Sequence, residues 1–247
     1  MIFFKKTVQH LYNRYLDSLS SHKNEKFYSI FYRSWNKFFK KYDPEIEIRV
    51  GKKNLFLNLS HKLPIFYRKY PNYDRALPRV CKKISEIDGQ LNVIDIGANI
   101  GDTVSLITDE VTGNFLCIDG DKKYLPVLEK NIEKISKVNK VKIVRCYCGN
   151  SIKDESISID RIGGTAKIIT TSLSNNKKQV YDVEIKSLDE IMIKNPDFQY
   201  SNLLKIDTDG FEINILESGS SFIKKLSLLY ILSTHLNYIY KIIKIPN

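Results

Sequence analysis

The chain has 247 residues, a formal net charge of +11 and 43% hydrophobic residues; this length suits one α/β domain with an extension, the simpler interpretation, or two small domains, and is enough to bury a core. Its lysines are scattered in pairs without an arginine-rich block or zinc-finger spacing, so a nucleic-acid partner is disfavoured in spite of the charge. The four cysteines form no C-x-x-C pair and charges interrupt every candidate membrane span, so we expect a reduced, cytoplasmic protein with no zinc site and no transmembrane span.

We predict a helical arm over residues 1–44. Basic residues in this arm stand beside aromatic side chains that recur at helical spacing, namely Phe27, Phe31, Trp35, Phe38 and Phe39. A stripe of this kind is typical of a packing face. The basic face next to it leaves a peripheral membrane contact open as a second interpretation.

A lead-in segment, 45–90, follows the arm. Its runs 45–50 and 54–59 alternate between apolar and polar residues on either side of a Gly-Lys-Lys turn, which predicts a β-hairpin. The next stretch, 63–80, is rich in Tyr and Pro, and we expect it to lie over the ligand site predicted below. A helix is expected around 75–86.

The predicted catalytic domain, 91–247, begins with the sequence LNVIDIGANIGDTV. The apolar start predicts a buried parallel strand, Gly97 and Gly101 predict a tight turn, and Asp102 with Thr103 predicts the start of a helix. Because glycine has no side chain, we expect a ligand to lie against bare backbone amides at the carboxyl edge of the sheet. A turn with a purely structural role is the alternative interpretation.

The residues after this turn indicate what it binds. A dinucleotide fingerprint has glycine at its middle position, where this chain has Asn99. About twenty residues on, the run 115–118 ends in Asp119, whose carboxylate can accept hydrogen bonds from both hydroxyls of an adenosine ribose. A pocket edged with carboxylates suits an adenosine ligand that carries an ammonium and a sulfonium but no phosphate, so we predict S-adenosylmethionine. The predicted cofactor-binding residues are Asp95, Gly97, Ala98, Asn99, Gly101, Asp102, Thr103, Asp119, Gly120 and Asp121.

Strand and helix patterns then alternate as βαβαβ, which requires parallel strands with right-handed crossovers. The helices are predicted at 102–110 and 123–136, and the strands after the first at 114–119 and 141–148. Glycine and serine clusters break the pattern over 150–186, where we expect a β-rich insertion beside the site rather than a separate domain.

A fourth core strand at 203–206, preceded by a helix at 187–194, ends in an acidic cluster. Asp207 and Asp209 belong to this cluster, and because ligands of open α/β sheets bind beyond the carboxyl ends of the strands, we expect it to face the same crevice as the glycine turn. These two carboxylates and that of Glu212 could act as a general base, hold a divalent cation, or cap the following helix. His235 is a further candidate base.

Five motifs occur along the chain in the order YPNYDRALPRV, VIDIGANIGDT, LCIDGD, SLDEI and LLKIDTDGFEINIL. In this order they resemble the FkbM family of S-adenosylmethionine-dependent methyltransferases, over roughly residues 60–225. The resemblance implies a Rossmann-like class I methyltransferase fold of the α/β class, with a mostly parallel sheet and helices on both faces. It also implies O-methylation of a hydroxyl on a sugar, a glycan or a secondary metabolite. A divalent cation at Asp207 and Asp209 is an optional second cofactor that the acidic cluster itself suggests.

The sequence departs from the family pattern in two places. Asp119 stands where the family often has a longer Glu. A fifth parallel strand is predicted at 228–233, and only 234–247 follow it, too few residues for the helix and antiparallel hairpin that close the family's sheet. We therefore expect a shortened sheet that lacks this hairpin and has an exposed edge.

Two other functions compete with this prediction. A nucleic-acid methyltransferase is suggested by the positive charge, but base-amino methylation favours an Asn/Asp-Pro-Pro-aromatic element at the fourth strand end, where this chain has Asp-Thr-Asp-Gly. A non-catalytic remnant of a methyltransferase is suggested by the shortened carboxyl terminus.

Overall fold

The structure is a computed structural model that includes side chains. It describes residues 2–21, 26, 29–30, 33–34, 37, 43–70, 72–135, 140–150, 155–162, 165–172, 184–208, 210–226 and 230–233. Backbone contacts divide the chain into two compact units, Met1–Ala76 and Leu77–Asn247. The three-part division predicted from the sequence, at 1–44, 45–90 and 91–247, stays a prediction.

Two helices and a hairpin of the first unit have bounds that the structure describes. They are α1 (Ile2–Ser21), β1 (Glu45–Val50), β2 (Lys53–Asn58) and α2 (Leu63–Lys69). Helix α1 buries one stripe of side chains at helical spacing: Val8, Tyr12, Tyr15, Leu16 and Leu19. The strands β1 and β2 pair antiparallel, as predicted. None of the described helices is long and apolar enough to cross a membrane.

A parallel sheet forms the centre of the second unit. Its strands and those of the insertion are β3 (Asn92–Ile96), β4 (Asn114–Asp119), β5 (Lys140–Arg145), β6 (Tyr147–Cys148), β7 (Glu155–Ile162), β8 (Thr165–Ser172), β9 (Ile185–Lys186), β10 (Leu203–Ile206) and β11 (Tyr230–Ser233). Five of them form one sheet in the order β11-β10-β3-β4-β5, with every pair parallel. The order reverses at β3, so the carboxyl ends of β3 and β10 form the topological switch point. The predicted α/β fold with a parallel sheet and a fifth strand at its edge is confirmed.

Helices cover both faces of this sheet. They are α3 (Ala76–Asp88), α4 (Asp102–Ile107), α5 (Leu125–Ile135), α6 (Leu188–Ile193), α7 (Glu212–Ser218) and α8 (Ser220–Lys225). On one face, Ile94 and Ile96 of β3 share a hydrophobic core with residues of α6 and α7. Because side chains alternate along a strand, Asp95 points to the opposite face. Cys81 of α3 lies near it there, and burial together with the charge of Asp95 raises the pKa of the Cys81 thiol.

The predicted strand over 141–148 is wrong as a single element. Strand β5 ends at Arg145, and the two residues of β6 pair with β9 instead of with β4. The N–H of Tyr147 accordingly donates to the carbonyl of Glu184 at 2.9 Å. The chain therefore changes partner at Cys146, which an uninterrupted apolar pattern cannot reveal.

The expected β-rich insertion contains an antiparallel pair, β7 and β8, and the short strand β9. Several predicted features lie outside the described residues. They are the aromatic stripe at Phe27, Phe31, Trp35, Phe38 and Phe39, the segment 234–247 with His235, and Asp209.

Candidate functional site

The glycine turn and the end of β10 meet at the carboxyl edge of the sheet. The N–H of Asp207 donates a 3.0 Å hydrogen bond to the carbonyl of Ile96. Gly97 has a φ of +80°, and a Cβ at this residue would lie 2.1 Å from the carbonyl oxygen of Asp207. A residue with a side chain could not make this approach. The two segments that were predicted to share one edge thus lie in contact.

The amides of the turn are hydrogen-bonded within the protein. The N–H groups of Gly97 and Ala98 both donate to the carbonyl of Ile118, at 2.9 and 3.2 Å, and the N–H of Gly101 donates to the carbonyl of Ala98 at 2.8 Å. The expectation that a ligand lies against bare amides is wrong for these three groups, because β4 and the turn itself occupy them. A phosphate-binding loop would offer such N–H groups to its ligand, so this arrangement suits a ligand without phosphate.

Asp119 connects the end of β4 to the glycine turn. Its Oδ2 accepts the N–H of Asn99 and its Oδ1 accepts the N–H of Asp121, both at 2.8 Å. Asn99 has a φ of +49°, a left-handed conformation that asparagine tolerates better than most residues. Burial raises the pKa of Asp119 to about 6, although the two N–H groups lower it. Each carboxylate oxygen has further lone pairs, so Asp119 can still accept hydrogen bonds from a ligand.

The two residues after Asp119 lie in the connection between β4 and α5. Asp121 is almost fully buried, and its Oδ1 accepts the N–H of Lys123 at 2.9 Å. A Cβ on Gly120 would lie 2.2 Å from the ring of Tyr147, so this ring covers Gly120. Tyr147 was missed in the sequence analysis, because its position depends on the pairing of β6 with β9.

Three further predicted residues lie where α4 begins. Gly101 has a φ of +83°, and a Cβ there would lie 3.2 Å from Leu128 of α5, which indicates a packing role. Asp102 is the half-buried first residue of α4, a position where the helix dipole favours a carboxylate. The next residue, Thr103, is buried.

A buried lysine joins β10 to β3. Lys205 pairs with Asp95 in the strand register, and its Nζ lies 3.0 Å from Oδ1 of Asp95 and 3.6 Å from Oδ2 of Asp207. Asp95 is 0% exposed and Lys205 is 4% exposed. The sequence analysis missed Lys205, although a lysine within the apolar run LLKI was an available signal, because lysine is rarely buried without a partner.

The electrostatics of this cluster follow from burial and charge. Burial raises the pKa of Asp95, and the ammonium of Lys205 opposes that rise. Burial alone would lower the pKa of Lys205, but Asp95 and Asp207 reverse the effect, so the pKa lies above its ordinary value and the ammonium is kept. Two polar atoms here, Oδ2 of Asp95 and Oγ1 of Thr208, are buried with no hydrogen-bond partner among the described residues.

Asp207 is not the N-cap residue of the helix that follows it. Helix α7 has Phe211 at its N-cap without a side-chain hydrogen bond, and the N–H of Gly210 donates to Oε1 of Glu212 at 3.1 Å. Asp207 directly follows the carboxyl end of β10, and its side chain is 36% exposed. In the part of the chain that the structure describes, no group of three or more His, Cys, Asp and Glu residues could hold a metal ion.

Residues 95–241 match the profile of the methyltransferase FkbM domain. Comparison with curated proteins gives no significant match. One similar solved structure is a proposed caffeoyl-CoA O-methyltransferase from Staphylococcus aureus, with 11% identity and a TM-score of 0.37, over 65% of this chain and 57% of that chain. Another is a proposed RNA methyltransferase from Pyrococcus horikoshii, with 14% identity and a TM-score of 0.31, over 66% and 59%. The chain thus spans less than two thirds of the length of either structure.

Proposed function

Because the chain belongs to the methyltransferase FkbM domain family, we propose that it is an S-adenosylmethionine-dependent O-methyltransferase. We propose as its acceptor a hydroxyl group of a sugar, a glycan or a small secondary metabolite. The contact between Gly97 and Asp207 carries this proposal. It brings a cofactor-type turn and a partly exposed carboxylate to the same edge of the sheet, where ligands of open α/β sheets bind.

The residues around the turn fit the proposed cofactor. Asp119 stands at the end of the neighbouring strand and has lone pairs left for the ribose hydroxyls. The unpartnered Oδ2 of Asp95 is an acceptor suited to an ammonium group. The turn amides of Gly97, Ala98 and Gly101 are occupied within the protein, which suits an adenosine ligand without phosphate. When bound, S-adenosylmethionine supplies an electrophilic methyl group.

The protein's own part in the reaction is alignment and proton removal. The carboxylate of Asp207 lies directly after the end of β10, beside the glycine turn and partly exposed to solvent. From this position it would accept the proton of the acceptor hydroxyl, provided that the bound acceptor comes within about 3 Å of a carboxylate oxygen. Asp209 is the second candidate for this role.

Methyl transfer to a panel of nucleotide-sugars, glycans and hydroxylated metabolites tests the proposal. We expect Asp207→Asn to abolish turnover while S-adenosylmethionine still binds, because asparagine keeps the size of the side chain but cannot serve as a base. Asp197→Asn is the matched control, since Asp197 is an exposed residue paired with Lys140. Normal turnover in Asp207→Asn would remove Asp207 from the mechanism, and a dead Asp209→Asn variant would transfer its role. Methylation of RNA or DNA alone would contradict the proposed acceptor class.

A further inference from the structure

Lys205 is a buried positive charge near the carboxyl end of β10. Its Nζ stands between two carboxylates, 3.0 Å from Asp95 and 3.6 Å from Asp207. The backbone of Lys205 is set by pairing with β3 on one side and β11 on the other. A charge held by two flanking strands and two carboxylates has little freedom to move away.

The position of this ammonium determines which cation, the lysine or a metal ion, balances the negative charge of Asp207. A divalent cation bound to Asp207 needs oxygen ligands and would lie within a few ångströms of the carboxylate. The ammonium already lies 3.6 Å from Oδ2 of Asp207, so a second cation on this carboxylate would lie close to a like charge and be repelled by it. Because Asp95 is fully buried, removal of the ammonium would also leave a buried carboxylate without its ion-pair partner.

We propose that Lys205 is the built-in cation of this site: its ammonium positions the Asp207 carboxylate at the end of β10 and takes the place that a divalent cation would need there. This inference rests on the proposed function for the role of Asp207. Methyl transfer by this chain is then independent of metal ions. Lys205 acts as a positioning residue, because it reaches the acceptor only through Asp207.

Manganese binding tests the cation directly and needs no acceptor. Mn²⁺ is titrated into the wild-type chain and into Asp207→Asn, and free Mn²⁺ is followed by electron paramagnetic resonance. We expect both proteins to bind the same amount of Mn²⁺ up to millimolar concentrations, because the wild type has no site that depends on Asp207. A wild-type site that disappears in Asp207→Asn would overturn the proposal.

Turnover of Lys205 variants tests the positioning role. Lys205→Met removes the charge, Lys205→Arg keeps it, and Lys140→Met is the control in an exposed ion pair. Turnover at saturating substrates is divided by the number of cofactor-binding sites measured by calorimetry, so that a loss of folded protein does not count. We expect Lys205→Met to lose at least tenfold, Lys205→Arg to recover part of the loss, and Lys140→Met to stay unchanged. A chelator should leave the wild-type enzyme unaffected.

Wild-type turnover in Lys205→Met, or an enzyme stopped by the chelator, would overturn the proposal. If Lys205→Met does not fold, Lys205→Arg and the chelator decide: chelator-resistant activity in Lys205→Arg supports the built-in cation, and chelator sensitivity refutes it. If the wild type methylates no acceptor, the proposed function fails. The Mn²⁺ titration still decides whether Asp207 holds a metal ion, and a site that depends on Asp207 would overturn the proposal.

Discussion

Gly97 lies so close to the main chain of Asp207 that a Cβ at residue 97 would be 2.1 Å from the carbonyl oxygen of Asp207. The contact joins the two strand ends on which the proposed site is built. It also explains why this glycine is needed even without a ligand, since the approach and the φ of +80° both exclude a side chain.

We therefore expect Gly97→Ala to lower the free energy of unfolding by about 2 to 5 kcal/mol, from left-handed strain and displacement of the Asp207 carbonyl. Gly89→Ala is the matched control, because Gly89 has a φ of +76° but no atom within 4 Å of its Cβ position. It should cost only about 1 to 2 kcal/mol. Denaturant unfolding of the two variants measures the difference, and equal losses would contradict the close approach.

Replacement of Asp119 by asparagine should weaken cofactor binding. Asn keeps one acceptor oxygen for the N–H of Asn99 or Asp121 but loses the charge, so we expect a loss of about 1 to 3 kcal/mol in the affinity for S-adenosylmethionine. Isothermal calorimetry measures this affinity, with Asp197→Asn as the control. Unchanged affinity in Asp119→Asn would remove Asp119 from the cofactor site.

Cofactor affinity should also depend on pH through Asp119. Its pKa is raised to about 6 in the folded protein, and the ionised carboxylate is the form that accepts hydrogen bonds from ribose hydroxyls at both oxygens. We expect the affinity of the wild type to fall by about tenfold for each pH unit below 6. Calorimetry between pH 5 and pH 8 should show this slope in the wild type and a flat profile in Asp119→Asn.

The contribution of Asp119 to folding stability should change with pH in the opposite direction from the cofactor affinity. The folded pKa of about 6 is above the ordinary value of 3.8, so the folded chain binds the proton more tightly than the unfolded chain. Its contribution to stability therefore falls as the pH rises from about 4 to about 6, by at most about 1.4 kcal/mol per pH unit. Urea unfolding of wild type and Asp119→Asn over this range isolates the effect, and an equal pH dependence in both would contradict it.

Helix α6 begins with a capping box whose loss should affect stability alone. The side chain of Ser187 accepts the N–H of Glu190, and the Glu190 carboxylate accepts the N–H of Ser187. We expect Ser187→Ala to lower the free energy of unfolding by about 1 kcal/mol without a change in cofactor affinity. Glu86→Ala at the exposed pair with Lys83 is the control and should stay within about 0.5 kcal/mol of wild type. A change in affinity in Ser187→Ala would connect this helix to the site.

The parallel order of strands and helices and the glycine turn were predictable because these features are encoded locally. An apolar run that passes into Gly97 predicts a buried strand and a turn from nearest neighbours alone. The spacing between the glycine turn and Asp119 predicted that the two lie at the same edge of the sheet. It could do so because one strand, one helix and one further strand occupy a nearly constant length in a βαβ unit. The contact between the N–H of Asn99 and Asp119 agrees with that spacing.

The pairing of Lys205 with Asp95 and the change of strand partner at Cys146 were decided only by the tertiary structure. Lys205 and Asp95 are 110 residues apart, and the lysine is buried because the strand register places it opposite a carboxylate. The burial of a charge depends on whether a partner lies within a few ångströms, and that distance is set by the packing of strands that are remote in the chain. The local pattern LLKI indicates a buried lysine but does not identify Asp95 as its partner.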